Sequence, residues 1–537
     1  MIAIKTLLIL LFLTCTYIAQ AQGIDVLHYR YELTLSDKND TIQGLAEIQF
    51  TVRNKSEFAV FELKTINADG KGMRLKGAHL SPEQAWDSLR VVKTGDYIYM
   101  KTGLFKDKDT VTAFINYKGI PADGLIISKN KFGDRTFFAD NWPNRAHHWI
   151  PCIDRPDDKA SFEFIVTAPS HYSVISNGIK IEEKELGDGT KKTHWKENTP
   201  QPTKVMVIGV AKFATKTFND SPKDVPISAL VYPQDSTKGF YDYALTPGIV
   251  KFFSNYIAPY PYKKLANVQS KTIFGGMENA SAIFYAENTV TGDRSSEDLM
   301  AHEIAHQWFG DMASEKSFAH VWLSEGFATY FTNLYLENKY GKAAMINRLR
   351  KDREEVIAFA KTSTHAVVDS TKDLMSLLNT NSYQKGGWIL HMLRAEVGDT
   401  TFQKIIQVYY DQYKGGNADT KDLEAVAEKV SGKELTWFFD QWLYQPGIPN
   451  LNLSWKYEDG NVELLHPANH DDFEYKLPVE FLFIYRNGRV EKHVLQLESH
   501  GHVLVKIPSK EKPLRVILDP DVKLLFEGKI SEIKKSH

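Results

Sequence analysis

The chain has 537 residues, with 65 Lys and Arg against 67 Asp and Glu, which gives a formal net charge of −2 at pH 7. This balance excludes an electrostatic case for nucleic acid or an anionic membrane as a partner, because neither would be attracted to a nearly neutral surface. The hydrophobic fraction of 43% and the length predict a globular protein of about three or four domains.

Residues 1–21 are predicted to be a secretory signal peptide. Lys5 supplies the positive start, Leu7 to Leu13 form a short apolar core, and Ala19-Gln20-Ala21 has the small-x-small pattern of a cleavage site. The apolar core is too short to span a membrane well, so we expect export to the periplasm or the medium without stable membrane insertion. Cleavage after Ala21 would leave only Cys152, so we expect no internal disulfide.

Residues 22–213 are predicted to form an N-terminal β domain. Apolar and polar residues alternate with period two, which is typical of half-buried strands. Asn177-Gly178 and Gly187-Asp188-Gly189 are typical turn sequences between such strands. The five predicted strands are Tyr29 to Leu35, Ala46 to Val52, Thr110 to Tyr117, Ser161 to Thr167 and Lys204 to Val210.

Residues 214–447 are predicted to form a mostly helical catalytic domain. A hydroxyl followed three residues later by an acid, in Ser295 to Asp298, resembles the start of a helix that ends near Gly310. A second helix is predicted from Val321 to Tyr340, with a stop at Gly341. Further helical periodicity covers Lys342 to Lys361, Gln384 to Val397, Thr401 to Tyr413 and Thr420 to Ser431.

Residues 448–530 are predicted to form a small C-terminal β-sandwich, because the period returns to two after Pro449. Asp459-Gly460 and Asn487-Gly488 are typical hairpin turns. The predicted strands are Leu451 to Tyr457, Val479 to Tyr485, Arg489 to Leu497 and Arg515 to Leu518. The whole chain is therefore predicted to be an α+β multidomain protein.

The segment His302-Glu303-Ile304-Ala305-His306 predicts a zinc site. Residues four apart in a helix lie on one face, so His302 and His306 can present two imidazoles to one metal. Glu303 lies one position round and can reach a water without being a ligand. A catalytic zinc takes about three protein ligands, and Glu325 on the next predicted helix is well placed as the third. The alternative is a solvated helix face that carries two histidines.

Such a site would hydrolyse a carbonyl compound. Zinc lowers the pKa of a water to about 7, so Glu303 can take its proton near neutral pH and pass it to the leaving amine. The tetrahedral intermediate then needs a donor for its oxyanion. Tyr383 is a candidate donor, although spacing alone does not select it from 25 tyrosines, and a packing role is the alternative.

A second cluster is Gly275-Gly276-Met277-Glu278-Asn279. Two glycines before a carboxylate allow the backbone to approach a substrate closely, and Glu278 can then pair with a cation. From these residues alone, a tight turn with an exposed acid is the favoured interpretation.

Four motifs in chain order resemble the zinc aminopeptidases of the M1 (gluzincin) family, which include aminopeptidase N and the leukotriene A4 hydrolases. These are Gly-Gly-Met-Glu-Asn at 275–279, His-Glu-x-x-His at 302–306, Trp322-Leu-Ser-Glu325-Gly-Phe-Ala and Tyr383-x-Lys385-Gly386. The resemblance implies a saddle-like N-terminal β domain, a thermolysin-like catalytic domain and, in this chain, a third β domain.

The resemblance also implies roles for individual residues. It places the ligands of one zinc ion per chain on His302, His306 and Glu325, the general base on Glu303 and the tyrosine of the transition state on Tyr383. It implies an enzyme that hydrolyses the N-terminal peptide bond of peptides.

The resemblance assigns substrate binding to Gly275, Gly276, Met277, Glu278 and Asn279, with Glu278 holding the free α-amine of the peptide. The implied partners are peptides with a free N-terminus. The alternatives are a zinc endopeptidase, which shares the metal site without needing Glu278, and a catalytically idle protein that only binds peptides.

One departure from the family pattern concerns the amine. Family members place a Gln or Glu about ten residues before the Cys of the Pro-Cys-x-Asp segment, as a second clamp on the amine, and this chain has Trp142 there. Either Asn141 takes over through a shifted loop, or Glu278 holds the amine with less help. The nearby His147-His148 pair is predicted to consist of ordinary surface or packing histidines.

Overall fold

The computed structural model describes residues 23–81, 91–466, 474–498 and 503–533. The predicted signal peptide, residues 1–21, lies outside the described residues. The chain divides into two compact units. Of the described residues, the first unit comprises those within 23–251, 260–314 and 415–417, and the second comprises those within 252–259, 315–414 and 418–533. The three predicted domain boundaries stay predictions.

The first unit is rich in strands. In chain order they are β1 (Ile24–Thr34), β2 (Ile42–Val52), β3 (Phe58–Glu62), β4 (Gly72–Ser81), β5 (Val91–Thr94), β6 (Tyr97–Lys101), β7 (Thr110–Ile120), β8 (Leu125–Lys129), β9 (Arg135–Ala139), β10 (Ala160–Pro169), β11 (Ser173–Ser176), β12 (Ile179–Glu185), β13 (Thr190–Gln201), β14 (Ile208–Ala211), β15 (Ala214–Phe218), β16 (Ile227–Val231), β17 (Leu265–Ser270), β18 (Gly276–Met277) and β19 (Ala282–Ala286). Two short strands, β20 (Ser314–Glu315) and β21 (Asn417–Ala418), follow.

Strands β1 to β14 build three sheets. The largest has the order β12-β13-β10-β1-β2-β7-β4, with β1 and β10 parallel and the other neighbours antiparallel. The smaller sheets have the orders β11-β14-β9-β8 and β3-β6-β5. A β-bulge between Val26 and His28 changes which side chains of β1 face inward, so Tyr29, Tyr31 and Leu33 are buried after it.

Four of the five strands predicted in this region are confirmed, within β1, β2, β7 and β10. The fifth, Lys204 to Val210, is wrong in its first half, because residues 203–205 form a 3-10 turn and β14 begins only at Ile208. The polar residue that suggested an outward-facing position, Lys204, is itself 1% exposed. The apparent alternation was therefore not an alternation of inner and outer faces.

Residues 214–286 contain a sheet that the prediction of a mostly helical region missed. Its order is β15-β16-β17-β19-β18, with β16, β17 and β19 parallel to one another. All six residues of β17 are buried, so its sequence carries no period-two signal. This sheet positions β18, which begins at Gly276.

The helices are α1 (Ser236–Asp242), α2 (Thr246–Tyr256), α3 (Glu297–His306), α4 (Trp322–Tyr340), α5 (Lys342–Ala360), α6 (Gly386–Val397), α7 (Asp399–Tyr413), α8 (Thr420–Ser431) and α9 (Thr436–Leu443). The predicted helices all occur, and α1, α2 and α9 were not predicted. No described helix combines the length and the apolar character that crossing a membrane requires.

The start and the end of α3 differ from the prediction. The hydroxyl of the predicted start, Ser295 Oγ, donates to Thr291 Oγ1 at 3.2 Å. Ser296, which precedes the helix, makes no side-chain cap hydrogen bond, and its hydroxyl donates to the carbonyl of Thr289 at 2.9 Å. The helix ends at His306 and not near Gly310, since the chain turns there and Asp311 N donates to His306 O. A capping box does form at α8, between Asp419 and Asp422.

The second unit ends in strands β22 (Asn450–Glu458), β23 (Asn461–His466), β24 (Lys476–Ile484), β25 (Val490–Glu498), β26 (Val503–Pro508), β27 (Arg515–Leu518) and β28 (Glu527–Glu532). They form two sheets, ordered β26-β23-β22-β28 and β25-β24-β27. Both predicted hairpins are confirmed, and Asp459 and Gly460 have positive φ values of 49° and 73°, as a tight hairpin turn requires. The chain thus runs from a β-rich region through helices to a C-terminal β region.

Candidate active site

Helix α3 brings the two histidines of the predicted metal motif together. His302 Nε2 and His306 Nε2 lie 3.1 Å apart, and the ring planes are inclined by 82°. Two nitrogens that coordinate one tetrahedral zinc at its usual bond length are separated by about 3.3 Å. The histidine pair of this structure therefore fits a zinc ion.

The orientation of His306 is set by its other ring nitrogen. Nδ1 lies 3.1 Å from the carbonyl oxygen of Phe309, just beyond the end of α3. Because a carbonyl can only accept, Nδ1 carries the hydrogen and Nε2 keeps the lone pair that a metal needs. His306 is 1% exposed, so this tautomer is held inside the protein.

Glu303 is 4% exposed and packs against the backbone of β18. A Cβ atom placed on Gly276 would lie 2.4 Å from the Oε1 and Cδ atoms of Glu303. Gly276 pairs with Tyr285 of β19, which keeps β18 in the sheet. The glycine is therefore needed for the approach of β18 to the predicted base.

Glu278, Glu303 and His306 form one buried group in the first unit, with their candidate ligand atoms within 4.8 Å of one another. The interpretation of Glu278 as an exposed acid on a tight turn is wrong, because it is 5% exposed. Met277 and Asn279, its neighbours in the predicted substrate segment, are also buried. The predicted amine clamp and the predicted base thus occupy the same place.

The ionisable neighbours of this group resist negative charge. Burial raises the pKa of Asp311 well above its usual value, and the Glu278 carboxylate raises it further. Burial likewise raises the pKa of Tyr285, with the Glu303 carboxylate as the next cause. Such a site favours a cation, whether a metal ion or an ammonium group.

Gln307, directly after α3, connects this helix to the predicted substrate segment, residues 275–279. Gln307 was not identified by the sequence analysis. Its Nε2 donates to the carbonyl of Glu278 at 2.6 Å and to Asp311 Oδ2 at 2.9 Å. Its Oε1 accepts from the backbone N–H of Ser281 at 2.8 Å and from the Tyr260 hydroxyl at 3.1 Å. The only local signal was an amide directly after the second histidine of the motif.

Asn141 is not available as a second amine clamp. Its Nδ2 donates to the carbonyls of Thr203 and Met206 at 3.0 and 2.6 Å, and its Oδ1 accepts from Trp149 Nε1 at 2.9 Å. Trp142 is 2% exposed and packs edge-on against Phe274. The hypothesis that Asn141 takes over through a shifted loop is therefore wrong.

His147 and His148 have packing partners in the first unit. His147 Nδ1 lies 2.8 Å from Asp154 Oδ2, and the two histidine rings are 4.4 Å apart. Burial lowers the pKa of His148 to about 4. These contacts agree with the expectation of ordinary packing histidines.

Glu325 and Tyr383 belong to the second unit. Glu325 lies in the first turn of α4 and is 4% exposed. Tyr383 lies in a single π-helical turn, Asn381–Lys385, that leads into α6, and such turns occur frequently at functional sites. The next residue after Glu325, Gly326, would place a Cβ 2.9 Å from the backbone of Gly386. The two glycines therefore let α4 and α6 touch backbone to backbone, which sets Glu325 and Tyr383 relative to each other.

Comparison with known families matches two models. The model described as the peptidase family M1 domain matches residues 241–442, and the model described as the peptidase M1 N-terminal domain matches residues 26–205. The first match contains the histidine motif, Glu278, Glu325 and Tyr383.

Similar proteins carry aminopeptidase names. Probable aminopeptidase 2 of Sulfurisphaera tokodaii is 27% identical, over 94% of this chain and 65% of that protein. Leucyl aminopeptidase of Saccharolobus solfataricus is 26% identical, over 88% of this chain and 62% of that protein. Glutamyl aminopeptidase of Rattus norvegicus is 29% identical, over 69% of this chain and 42% of that protein.

Among solved structures, aminopeptidase A of Legionella pneumophila in complex with aspartic acid has a TM-score of 0.81 at 16% identity. The match covers 96% of this chain and 60% of that one, and shows that the two share a fold. The chain spans less than two thirds of the length of the relatives described above. The two family models together cover most of the chain, and so the chain belongs to peptidase family M1.

Proposed function

We propose that the protein is a zinc-dependent aminopeptidase that removes N-terminal residues from peptides. The observation that carries the proposal is the buried group of Glu278, Glu303 and His306, whose candidate ligand atoms lie within 4.8 Å. Consecutive Cα atoms in a peptide are about 3.8 Å apart, so an amine held at Glu278 leaves only the first peptide bond within reach of Glu303. That spacing supports exopeptidase action.

In this proposal His302, His306 and Glu325 hold one zinc ion per chain. The chemistry that zinc supplies when bound is Lewis acidity, which lowers the pKa of water to about 7 and polarises a carbonyl group. The separation of 3.1 Å between the two Nε2 atoms and the hydrogen bond from His306 Nδ1 to Phe309 support the histidine assignments. The family membership supports Glu325 as the third ligand.

The protein's own residues then act on the peptide in sequence. Glu278 binds the α-ammonium group, and the peptide backbone runs along β18. Glu303 accepts a proton from the attacking water and delivers it to the leaving amine. The hydroxyl of Tyr383 donates to the oxygen that becomes negative as the carbonyl is attacked.

The test compares a free-amine peptide with its N-acetylated form, before and after treatment with a chelator and re-addition of zinc. We expect the parent to prefer the free-amine peptide, because a charge-assisted contact contributes about 10–150-fold in binding. Chelation should abolish cleavage and zinc should restore it. Glu278→Ala should remove most of the preference while leaving the zinc content at about one per chain.

Two outcomes would replace the proposal by its alternatives. Equal cleavage of both peptides by the parent would make the protein an endopeptidase. Zinc-loaded protein that binds the free-amine peptide without cleaving it would make it a peptide-binding protein.

We also propose that the protein is exported through residues 1–21. The support is the order of a positive start, an apolar core and the Ala19-Gln20-Ala21 pattern. Mass spectrometry of protein from its native cells should find an N-terminus at Gln22. An intact N-terminus at Met1 would contradict the proposal.

A further inference from the structure

The segment that enters β18 is held by a carboxylate from outside the predicted motifs. Residues 271–275 connect β17 to β18, and Asp140 lies just after β9. Asp140 Oδ2 accepts the backbone N–H of Ile273 at 2.9 Å and the hydroxyl of Thr272 at 3.0 Å. The connection is thus bound at two successive residues, directly before Gly275.

Arg145 completes this anchor. Its Nη2 donates to Asp140 Oδ1 at 2.8 Å, and its Nε donates to the carbonyl of Trp142 at 2.8 Å. The guanidinium group lies 5.9 Å from the centre of the Phe274 ring, against which Trp142 packs at 6.1 Å. Asp140 is fully buried, and a buried carboxylate is tolerated because a cation and several donors compensate its charge.

The anchor adds to the backbone contacts of this segment, in which the carbonyl of Gly275 accepts from Ala286 N–H at 2.9 Å. Gly275 and Gly276 lack side chains that could hold them, and glycine loses more conformational entropy on ordering than any other residue. On the far side, Gly276 and Met277 are held by pairing with β19. The position of Glu278 therefore depends on restraints at both ends of this short stretch, and Asp140 supplies the restraint at its entrance.

We propose that Asp140 and Arg145 are positioning residues that set the place of Glu278, and so the affinity for the substrate's α-amine. The inference rests on the proposed function for its kinetic consequence. In this proposal residues 272–278 are ordered before the substrate binds, which reduces the conformational entropy lost when the amine binds to Glu278.

The test uses Asp140→Asn, with Asp123→Asn as its matched control. The amide keeps the shape of Asp140 but turns one acceptor into a donor, which then faces either Ile273 N–H or Arg145. Asp123 also pairs with Arg145, at 3.0 Å, but its side chain is 44% exposed and does not contact residues 272–274. Thr272→Val is the milder second variant, because it removes the hydroxyl that donates to Asp140 and accepts from Phe274 N–H at 3.3 Å but keeps the carboxylate.

For Asp140→Asn we expect KM for a free-amine peptide to rise by about tenfold while kcat changes by less than about threefold, as a displaced binding group predicts. Thr272→Val should shift KM in the same direction by a smaller factor, and Asp123→Asn should leave it unchanged. Zinc content should stay at about one per chain throughout. An unchanged KM in Asp140→Asn, or a loss confined to kcat, would overturn the inference.

Hydrogen–deuterium exchange of a peptide covering residues 271–277 gives a readout that does not depend on catalysis. Exchange should be faster in Asp140→Asn and in Thr272→Val than in the parent and in Asp123→Asn. Unchanged exchange in both test variants would overturn the anchoring itself. Failure of the proposed function is distinguishable, because the parent would then cleave free and acetylated peptides equally while the exchange difference persisted.

Discussion

Glu278 and Glu303 share one buried site with His306, yet the proposed reaction gives the two carboxylates different tasks. The two carboxylates have different contacts. Glu303 lies on α3 between the two histidines and touches the backbone of Gly276, whereas the backbone carbonyl of Glu278 is held by Gln307. A carboxylate beside the proposed metal ligands suits proton transfer, and one that directly follows the short strand β18 suits recognition of an amine.

The first prediction concerns Glu303 as the base. Glu303→Gln should keep about one zinc per chain and lose at least ~10³-fold in kcat, because both proton transfer and water activation are lost. Metal analysis and steady-state kinetics measure the two quantities. The exposed Glu354 of α5 provides a control, since Glu354→Gln should change neither. Loss of the zinc in Glu303→Gln would show that Glu303 is a ligand.

The second prediction concerns Tyr383. Removal of a single oxyanion donor typically costs about 10²–10³-fold in turnover, so Tyr383→Phe should lower kcat by that factor with little change in KM. Tyr340 at the end of α4 is 55% exposed, and Tyr340→Phe should have no such effect. A Tyr383→Phe variant as active as the parent would remove this residue from the mechanism.

At the scale of elements, glycines decide which backbones can approach each other. Gly276 brings β18 onto the carboxylate of Glu303, and the pair of Gly326 and Gly386 brings α4 onto α6. Gly276 and Gly386 lie within the motifs that resemble the family, and Gly326 directly follows Glu325 in another of them. Their close contacts are made to other elements, which explains why local sequence patterns do not reveal them.

The third prediction follows from Gly276. In Gly276→Ala the new Cβ would lie 2.4 Å from Glu303 Oε1, so Glu303 or β18 must move and kcat should fall by about tenfold or more. In Gly275→Ala the nearest atoms are those of Leu299 at 3.8 Å, an ordinary contact, so the loss should be far smaller. Comparable losses in the two variants would contradict this account, and steady-state kinetics at fixed zinc content would measure them.

At the scale of the whole molecule, each unit buries a lysine that donates to backbone carbonyls of the described residues. Lys264 donates to the carbonyls of Ser176 and Ser281 at 2.8 and 2.9 Å, and Lys385 donates to that of Gly447 at 2.8 Å. Burial lowers the pKa of each lysine to about 7. Both amines therefore lose their protons in the folded protein at a pH where the unfolded chain still holds them.

The fourth prediction is a rise in stability as the pH increases from 7 to 8.5. In this window the unfolded state binds more protons than the folded state, so each lysine adds up to about 1.4 kcal/mol per pH unit to the free energy of unfolding. Urea unfolding of the parent at several pH values would measure the rise. Lys385→Met should be less stable overall but should show a shallower rise, and a parent curve that is flat or falls would contradict the assignment.

Local periodicity was enough to predict much of the fold. Helix α7 buries Phe402, Ile405 and Tyr409 on one face, and the C-terminal strands join through Asp459-Gly460 and Asn487-Gly488. These elements have one buried and one exposed face, so apolar and polar residues recur in the sequence with the period of the helix or strand. The parallel strands β16, β17 and β19 are more fully buried, and that period is weak or lost there.

The sequence by itself predicted the histidine pair, because residues four apart in one helix lie on the same face whatever surrounds them, and its four motifs indicated the family. The tertiary structure decided that Glu278 is buried, that Asn141 is already fully hydrogen-bonded, and that Asp140 holds the entrance to β18. These facts depend on contacts between residues that are far apart in the chain. No local pattern encodes such contacts, since they arise only when the elements pack and every buried polar group must find a partner.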